Sequence, residues 1–187
     1  YPPDVATKTL YDLFDSPNWR VRYDGAMSVL ALMAKVGDKT KTSPKDFLAH
    51  LPAKETTPAG LGEPSSYGQQ LAQLPPALGV KEAIDAALKG NNLMAQLTAL
   101  GFYLSTGTPA DLAAVSKLET DKSPVPRCKP EDECGWDKPG CPVPKPGAKP
   151  DDAPEWKTIA TVADYVQFCV KPQIELRAKT HVEPAPK

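Results

Sequence analysis

The chain has 187 residues, 41% hydrophobic and 24% charged, which is enough for one domain or two small ones with a core that needs no metal to hold it. No apolar run approaches the roughly 18 residues of a membrane span. With 22 basic against 23 acidic residues the net charge is -1, so no global field gathers nucleic acid or an acidic membrane. The departures from ordinary composition are 22 prolines, about twice the usual share, and four cysteines.

Proline lacks a backbone donor and its ring clashes with the preceding turn, so proline-free windows mark where long helices fit. Here these are 4–16, 18–43, 77–108, 110–123 and 155–171. A first helix is predicted over 4–14. A second, over 17–36, sets Val21, Gly25, Val29, Leu32 and Val36 on one face. Gly37 follows a lysine-bearing last turn, where a left-handed residue closes a helix. Ser43-Pro44-Lys45-Asp46 opens a short helix over 44–51 with a hydroxyl cap, a proline at the first helical position and a carboxylate three residues on. Another short helix is read over 67–74. Helices over 79–89, ending at Gly90, and 92–105, with Leu93, Leu97, Leu100 and Leu104 on one face, form an adjacent pair. Thr108-Pro109-Ala110-Asp111 opens a helix over 109–119. Thr161-Val162-Ala163-Asp164 opens the last, over 159–178, with a stripe of Val162, Tyr165, Val166, Cys169, Val170 and Ile174. No apolar and polar residues alternate between turn dipeptides, so no β-sheet is expected. Proline-rich insertions fall at about 37–78 and 123–157, and residues 179–187 read as a tail.

The run Leu13-Phe14-Asp15-Ser16-Pro17-Asn18-Trp19-Arg20-Val21-Arg22, followed by Gly25-Ala26 and Val29-Leu30, resembles a HEAT repeat. In that family a first helix ends in an Asp-containing turn, and a second opens with Val-Arg and then carries small residues. Asp15, Pro17, Val21, Arg22 and Ala26 match. A second pair over 79–105 lacks Val-Arg, and a third would join 109–119 to 159–178. The resemblance implies an all-α fold, a short α-solenoid of about three antiparallel helix pairs in one domain over 1–187. It also implies a protein-binding scaffold, because HEAT domains usually serve that purpose.

Cys128, Cys134, Cys141 and Cys169 lack the closely spaced pairs that present two sulfurs to one zinc ion. Two disulfides tethering a proline-rich loop suit them better, which points to an oxidising, extracytoplasmic compartment. Three connectivities are open. The favoured one joins Cys134 to Cys141 as a local loop and Cys128 to Cys169 as a tie to the last helix.

His50 and His181 carry no catalytic signature, and no nucleotide motif is present. The acidic clusters Glu131-Asp132-Glu133 and Asp151-Asp152 lack calcium-loop spacing and read as solvated loop faces. Lys35, Lys39 and Lys41 are too few for a nucleic-acid footprint. Trp19 reads as core or turn packing. Large aromatics are rare in purely solvated loops, so Trp136 and Trp156 either fold the loop back on the helices or anchor a partner; with Pro142, Pro144 and Pro146 they form the candidate partner-binding surface, since Trp is enriched in binding hot spots.

The sequence therefore predicts a non-catalytic binding or assembly module, with no catalytic residues, metal or cofactor. It would be an extracytoplasmic subunit of a larger protein complex, periplasmic or secreted, binding neither nucleic acid nor, through this chain, spanning a membrane. Tyr1 in place of Met allows for a targeting segment removed earlier. The alternatives are a metal-binding or redox domain built on the cysteines, and an enzyme with an unrecognised site.

Overall fold

A computed structural model of the chain describes residues 1–53, 60–127, 140–143 and 153–180. It is mostly helical, with one small two-stranded sheet. The helices are α1 (Pro3–Tyr11), α2 (Trp19–Val36), α3 (Pro44–His50), α4 (Gly62–Leu71), α5 (Val80–Lys89), α6 (Leu93–Thr106), α7 (Leu112–Val115), α8 (Val162–Tyr165) and α9 (Lys171–Thr180). Single 3-10 turns flank α7, so 109–118 forms one short helical segment, and a π-helical turn Val166–Val170 joins α8 to α9.

The three cap signals form as their residues dictate. Ser43, Thr108 and Thr161 each accept from the backbone N–H three residues on, while Asp46, Asp111 and Asp164 return the bond to the cap N–H. Asn92 caps α6 with its carbonyl oxygen and donates its amide to Leu51 O at 2.8 Å, tying α6 to the end of α3. Gly37 closes α2 at φ 58°, whereas Gly90 closes α5 in extended backbone at φ -75°. Gly37 thus has the positive φ expected of a closing glycine, at ψ -131°, while Gly90 needs no special backbone.

The helices contact one another in two rows. One row runs α3, α5, α7, and the other runs α2, α4, α6, α9; α5 against α6 and α7 against α9 join them, and α1 packs on α2. The stretch 37–78 contributes α3 and α4, whose Phe47, Leu48, Tyr67 and Leu71 are buried in the core. In the last helix the whole stripe from Val162 to Ile174 is buried. Pro172 is absorbed there by the π turn: Lys171 N–H bonds back to Val166 O, five residues away, which widens the turn ahead of the proline ring.

Two features depart from the sequence reading. On α2 the buried residues are Arg22, Gly25, Ala26, Val29, Leu30 and Met33, while Val21 is 38% exposed. The face is rotated because Arg22 is neutralised inside the protein. Its Nε and Nη2 donate to Glu63 Oε1 and Oε2 at 2.9 and 3.0 Å, and Tyr67 donates its hydroxyl to Glu63 Oε1 at 2.8 Å. Burial and the adjacent Glu63 push the Tyr67 phenol far above its ordinary range. The second departure is a β-hairpin. Strands β1 (Gly140–Val143) and β2 (Glu155–Thr158) pair antiparallel. They escape a sequence reading because a four-residue strand containing proline, with no residue fully buried, has no hydrophobic alternation to read.

Where α4 crosses α6, Gly68 and Gly101 let the backbones nearly touch. A Cβ on Gly68 would lie 2.4 Å from Thr98 O, and one on Gly101 would lie 2.8 Å from Ser65 Cα.

Replacing Arg22 with Met strands Glu63 as an unpaired buried carboxylate, and should lower unfolding stability by about 3–5 kcal/mol. Adding Glu63→Leu should recover much of the loss, because no buried charge is then left unpaired; the Tyr67 hydroxyl loses its acceptor and Ser16 O its Arg22 donor, both neutral groups. Urea unfolding of the single and double variants checks both expectations.

Candidate functional site

The predicted partner surface falls partly within the described residues. Pro142 and Trp156 do; Trp136, Pro144, Pro146, Cys128 and Cys134 lie outside them, as does His181. Pro142 and Trp156 are direct cross-strand partners in the hairpin register, although they stand fourteen positions apart in sequence. Both are exposed, Trp156 at 59%. The indole lies against Gly140, where a Cβ would come within 2.3 Å of Trp156 Nε1, so the strand leaves room for the ring only because position 140 has no side chain.

The hairpin is fastened to the helices by a disulfide that differs from the favoured pairing. Cys141 on β1 joins Cys169 in the π turn, with Cα atoms 5.6 Å apart. This corrects both expected bridges, Cys134 with Cys141 and Cys128 with Cys169. Local loop closure favours the nearer partner, but strand pairing with 155–158 carries Cys141 back over the last helix, where Cys169 sits on the buried stripe.

Beside the bridge lies a groove of about 910 Å³. Leu104, Phe168, Pro142, Pro154, Pro172 and Leu176 supply its apolar wall. Leu176 is 52% exposed. It stands two residues past the end of the buried stripe, and an apolar residue off the stripe of an otherwise polar helix is the sequence signal that could have found it. The far wall is held by Arg177, whose guanidinium donates to the carbonyls of Tyr103, Leu104 and Gly107 at 2.7–3.1 Å. Tyr103 O also accepts the Gly107 N–H at 2.8 Å, while Leu104 lies in the last turn, whose carbonyls lack a full set of helical donors, so one side chain both caps the end of α6 and fixes α9.

A second cluster is absent from the sequence reading. Lys81 and Asp85, one turn apart on α5, meet Tyr103 of α6 and Asp111 from the start of the 109–118 segment. Lys81 Nζ lies 2.8 Å from Asp85 Oδ1, 3.2 Å from Asp111 Oδ1 and 3.1 Å from the Tyr103 hydroxyl, which also donates to Asp85. Burial and the bond to Asp85 push the Tyr103 phenol up to about 12. Burial alone would raise the carboxyls of Asp85 and Asp111; the Lys81 contact, and at Asp111 the Thr108 cap as well, hold both below their ordinary value. The Lys81 and Asp85 spacing of i,i+4 is legible in sequence, but the third and fourth members come from other helices.

His50 stacks on Tyr11 with ring centroids 3.9 Å apart, and its Nδ1 sits 2.7 Å from Asp46 O. Trp19 packs edge-on to Tyr23 beneath the Arg20 guanidinium. Among the described residues, no group of three or more His, Cys, Asp and Glu side chains is placed to hold a metal ion, and no helix is long and apolar enough to cross a membrane.

A nonreducing digest should yield a peptide linking Cys141 to Cys169. Reducing that bridge, which spans a sequence separation of 28, should cost about 3–4 kcal/mol by loop entropy. Because neither strand has a fully buried residue, circular dichroism should keep its helical signal while a protease gains access to the strands.

Acid should also unfold the chain in a defined window. Asp46, Asp85, Asp111 and Asp164 all titrate below the ordinary aspartate value when folded. The unfolded chain therefore takes up protons first as pH falls. The stability these carboxylates confer is complete above about pH 4 and is lost as pH drops through their lowered values. Urea midpoints between pH 7 and pH 2.5 should show this fall, and Asp111→Asn should make it shallower.

No protein-family model, no curated protein and no solved structure matches the chain.

Proposed function

We propose that the chain is a non-catalytic protein-binding module of an extracytoplasmic assembly, built as a short α-solenoid of the HEAT type. Two rows of helices in which every second helix contacts the next support the solenoid reading, with α3 packed on α5 in one row and α4 on α2 and α6 in the other. The Cys141–Cys169 bridge supports an oxidising compartment.

The observation that carries the binding role is the Trp156 and Pro142 pair, held out to solvent on a hairpin that is covalently fixed beside an apolar groove. An indole already immobilised on its strand loses little conformational freedom when a partner covers it, and Trp is the side chain most enriched at hot spots. Leu176 and Phe168 extend the same apolar surface across the groove.

The test is capture of protein partners from an extract of the native source, followed by affinity measurement with the purified partner. Trp156→Ala and Leu176→Ser should each weaken association by about 1–2 kcal/mol or more, with melting temperature and helix content unchanged. Undiminished affinity in both variants would move the contact surface elsewhere. A sharp drop in melting temperature with affinity per folded molecule preserved would make Trp156 a packing residue.

A further inference from the structure

The Lys81 cluster forms one end of a cleft of about 630 Å³ between α5 and the 109–118 segment. This cleft shares no lining residue with the hairpin groove, so its properties are independent of any role the hairpin has. Its floor is apolar and low, made by Leu88, Ala113, Ala114 and Leu118. Small side chains there leave space over the backbone that a larger residue would fill.

Charge is distributed unevenly along it. At the near end Lys81 is already matched by Asp85 and Asp111. Both elements run on from that contact: at about 1.5 Å per residue Lys89 stands about 6 Å beyond Asp85 and Lys117 about 9 Å beyond Asp111. Both lysines are exposed and line the cleft; among the described residues neither comes within salt-bridge distance of a carboxylate, although the charge of Lys89 reaches Asp85 one turn back. The cleft thus holds three lysines against two aspartates, an excess of one positive charge inside a chain whose net charge is -1. Gln96, which donates to Gly90 O at 2.7 Å, adds a polar amide to the wall.

We propose that this cleft docks an acidic, leucine-bearing segment of a partner protein, its carboxylates between Lys89 and Lys117 and its apolar side chain on the alanine floor. A fatty acid would place a carboxylate on the same lysines, but its tail would then run onto Lys81, Asp85 and Asp111. Covering those groups with hydrocarbon removes their water and supplies no hydrogen bond, which is costly. A peptide carries backbone donors and acceptors at the same depth and avoids that cost. The rim position of the two lysines means that they act mainly on association rate and salt dependence.

The experiment uses the full chain and a fluorescent ten-residue peptide of alternating glutamate and leucine, with a lysine-and-leucine peptide and decanoate as comparisons. The glutamate peptide should bind saturably and weaken as salt rises from 50 to 200 mM. Lys89→Glu with Lys117→Glu should weaken it about tenfold or more, chiefly by slowing association, and should confer binding of the lysine peptide. Ala113→Tyr, at an exposed floor position, should weaken binding without changing its salt dependence. The proposal is overturned if the wild-type chain shows no saturable binding, if the double variant binds the glutamate peptide equally well, or if decanoate displaces the peptide at equal concentration. Should the double variant fail to fold, the salt series and Ala113→Tyr still decide: binding indifferent to both overturns the proposal.

Discussion

A guanidinium only 1% exposed is the constraint on which the rest of the arrangement depends. Once the Val-Arg turn of α2 directs Arg22 inward, a carboxylate has to meet it, because an unpaired buried charge would cost more than most single packing contacts supply. Glu63 meets it, and that requirement extends α4 back to Gly62, five residues before the helix expected from sequence. Pro64 is no obstacle in that first turn, where the backbone N–H groups have no helical acceptor in any case. Tyr67, one turn on, completes the bonding to Glu63, stacks on Tyr23 and meets Phe47 edge-on, joining α2, α3 and α4 through a single ring. Gly68, the next residue, then presents bare backbone to α6.

The position of α6 follows. It is buried on most sides, so its leucine stripe marks only part of its contact surface: Leu97 and Leu100 are inside, but so are Met94, Ala95, Thr98, Ala99 and Tyr103. A helix in the middle of a row shows little amphipathic contrast, which is why a face is readable for the last helix and only half of one for α6. The end of α6 is sealed by Arg177, and α9 is thereby held against the core while Leu176, one residue earlier, faces outward. The hairpin is attached differently. Its strands bury no residue fully, so it is positioned by Cys141, by register and by the indole over Gly140, and its attachment depends on covalent chemistry where that of the helices depends on burial.

These differences decide what the sequence can disclose. Caps are local, so Ser43, Thr108 and Thr161 are readable from four consecutive residues each. The stripe from Val162 to Ile174 is a one-helix pattern and is equally plain. Arg22 reads as one half of a family motif, but its burial depends on Glu63, 41 positions away, and no spacing rule connects the two. The disulfide is misassigned from sequence for the same reason: loop length favours Cys134 for Cys141, and only the pairing of 140–143 with 155–158 returns that cysteine to the last helix. Trp156 stands out in sequence as a large aromatic beside a proline-rich stretch, but whether it packs inward or faces solvent is set by the hairpin register and not by its neighbours in sequence. Its neighbour across the strand, Pro142, stands out in sequence for its polyproline context and not for the register that brings the two together.

The two surfaces differ in the kind of recognition they favour. An immobilised indole beside apolar side chains gains mostly by removing water from hydrocarbon, a term indifferent to salt that slows dissociation. Rim lysines over an alanine floor gain little once contact is made, since each exposed ion pair contributes well under about 1 kcal/mol, but they raise the encounter rate with an acidic partner. In a chain whose total charge nearly cancels, such local asymmetry is what would orient an approaching acidic partner. Two rows of stacked helices suit this division, because the hairpin is fixed on the last helix of one row and the cleft opens between two helices of the other. A partner long enough to reach both would be oriented by the cleft and retained by the hairpin, and linking the two contacts would raise the effective concentration of the second without any new contact energy.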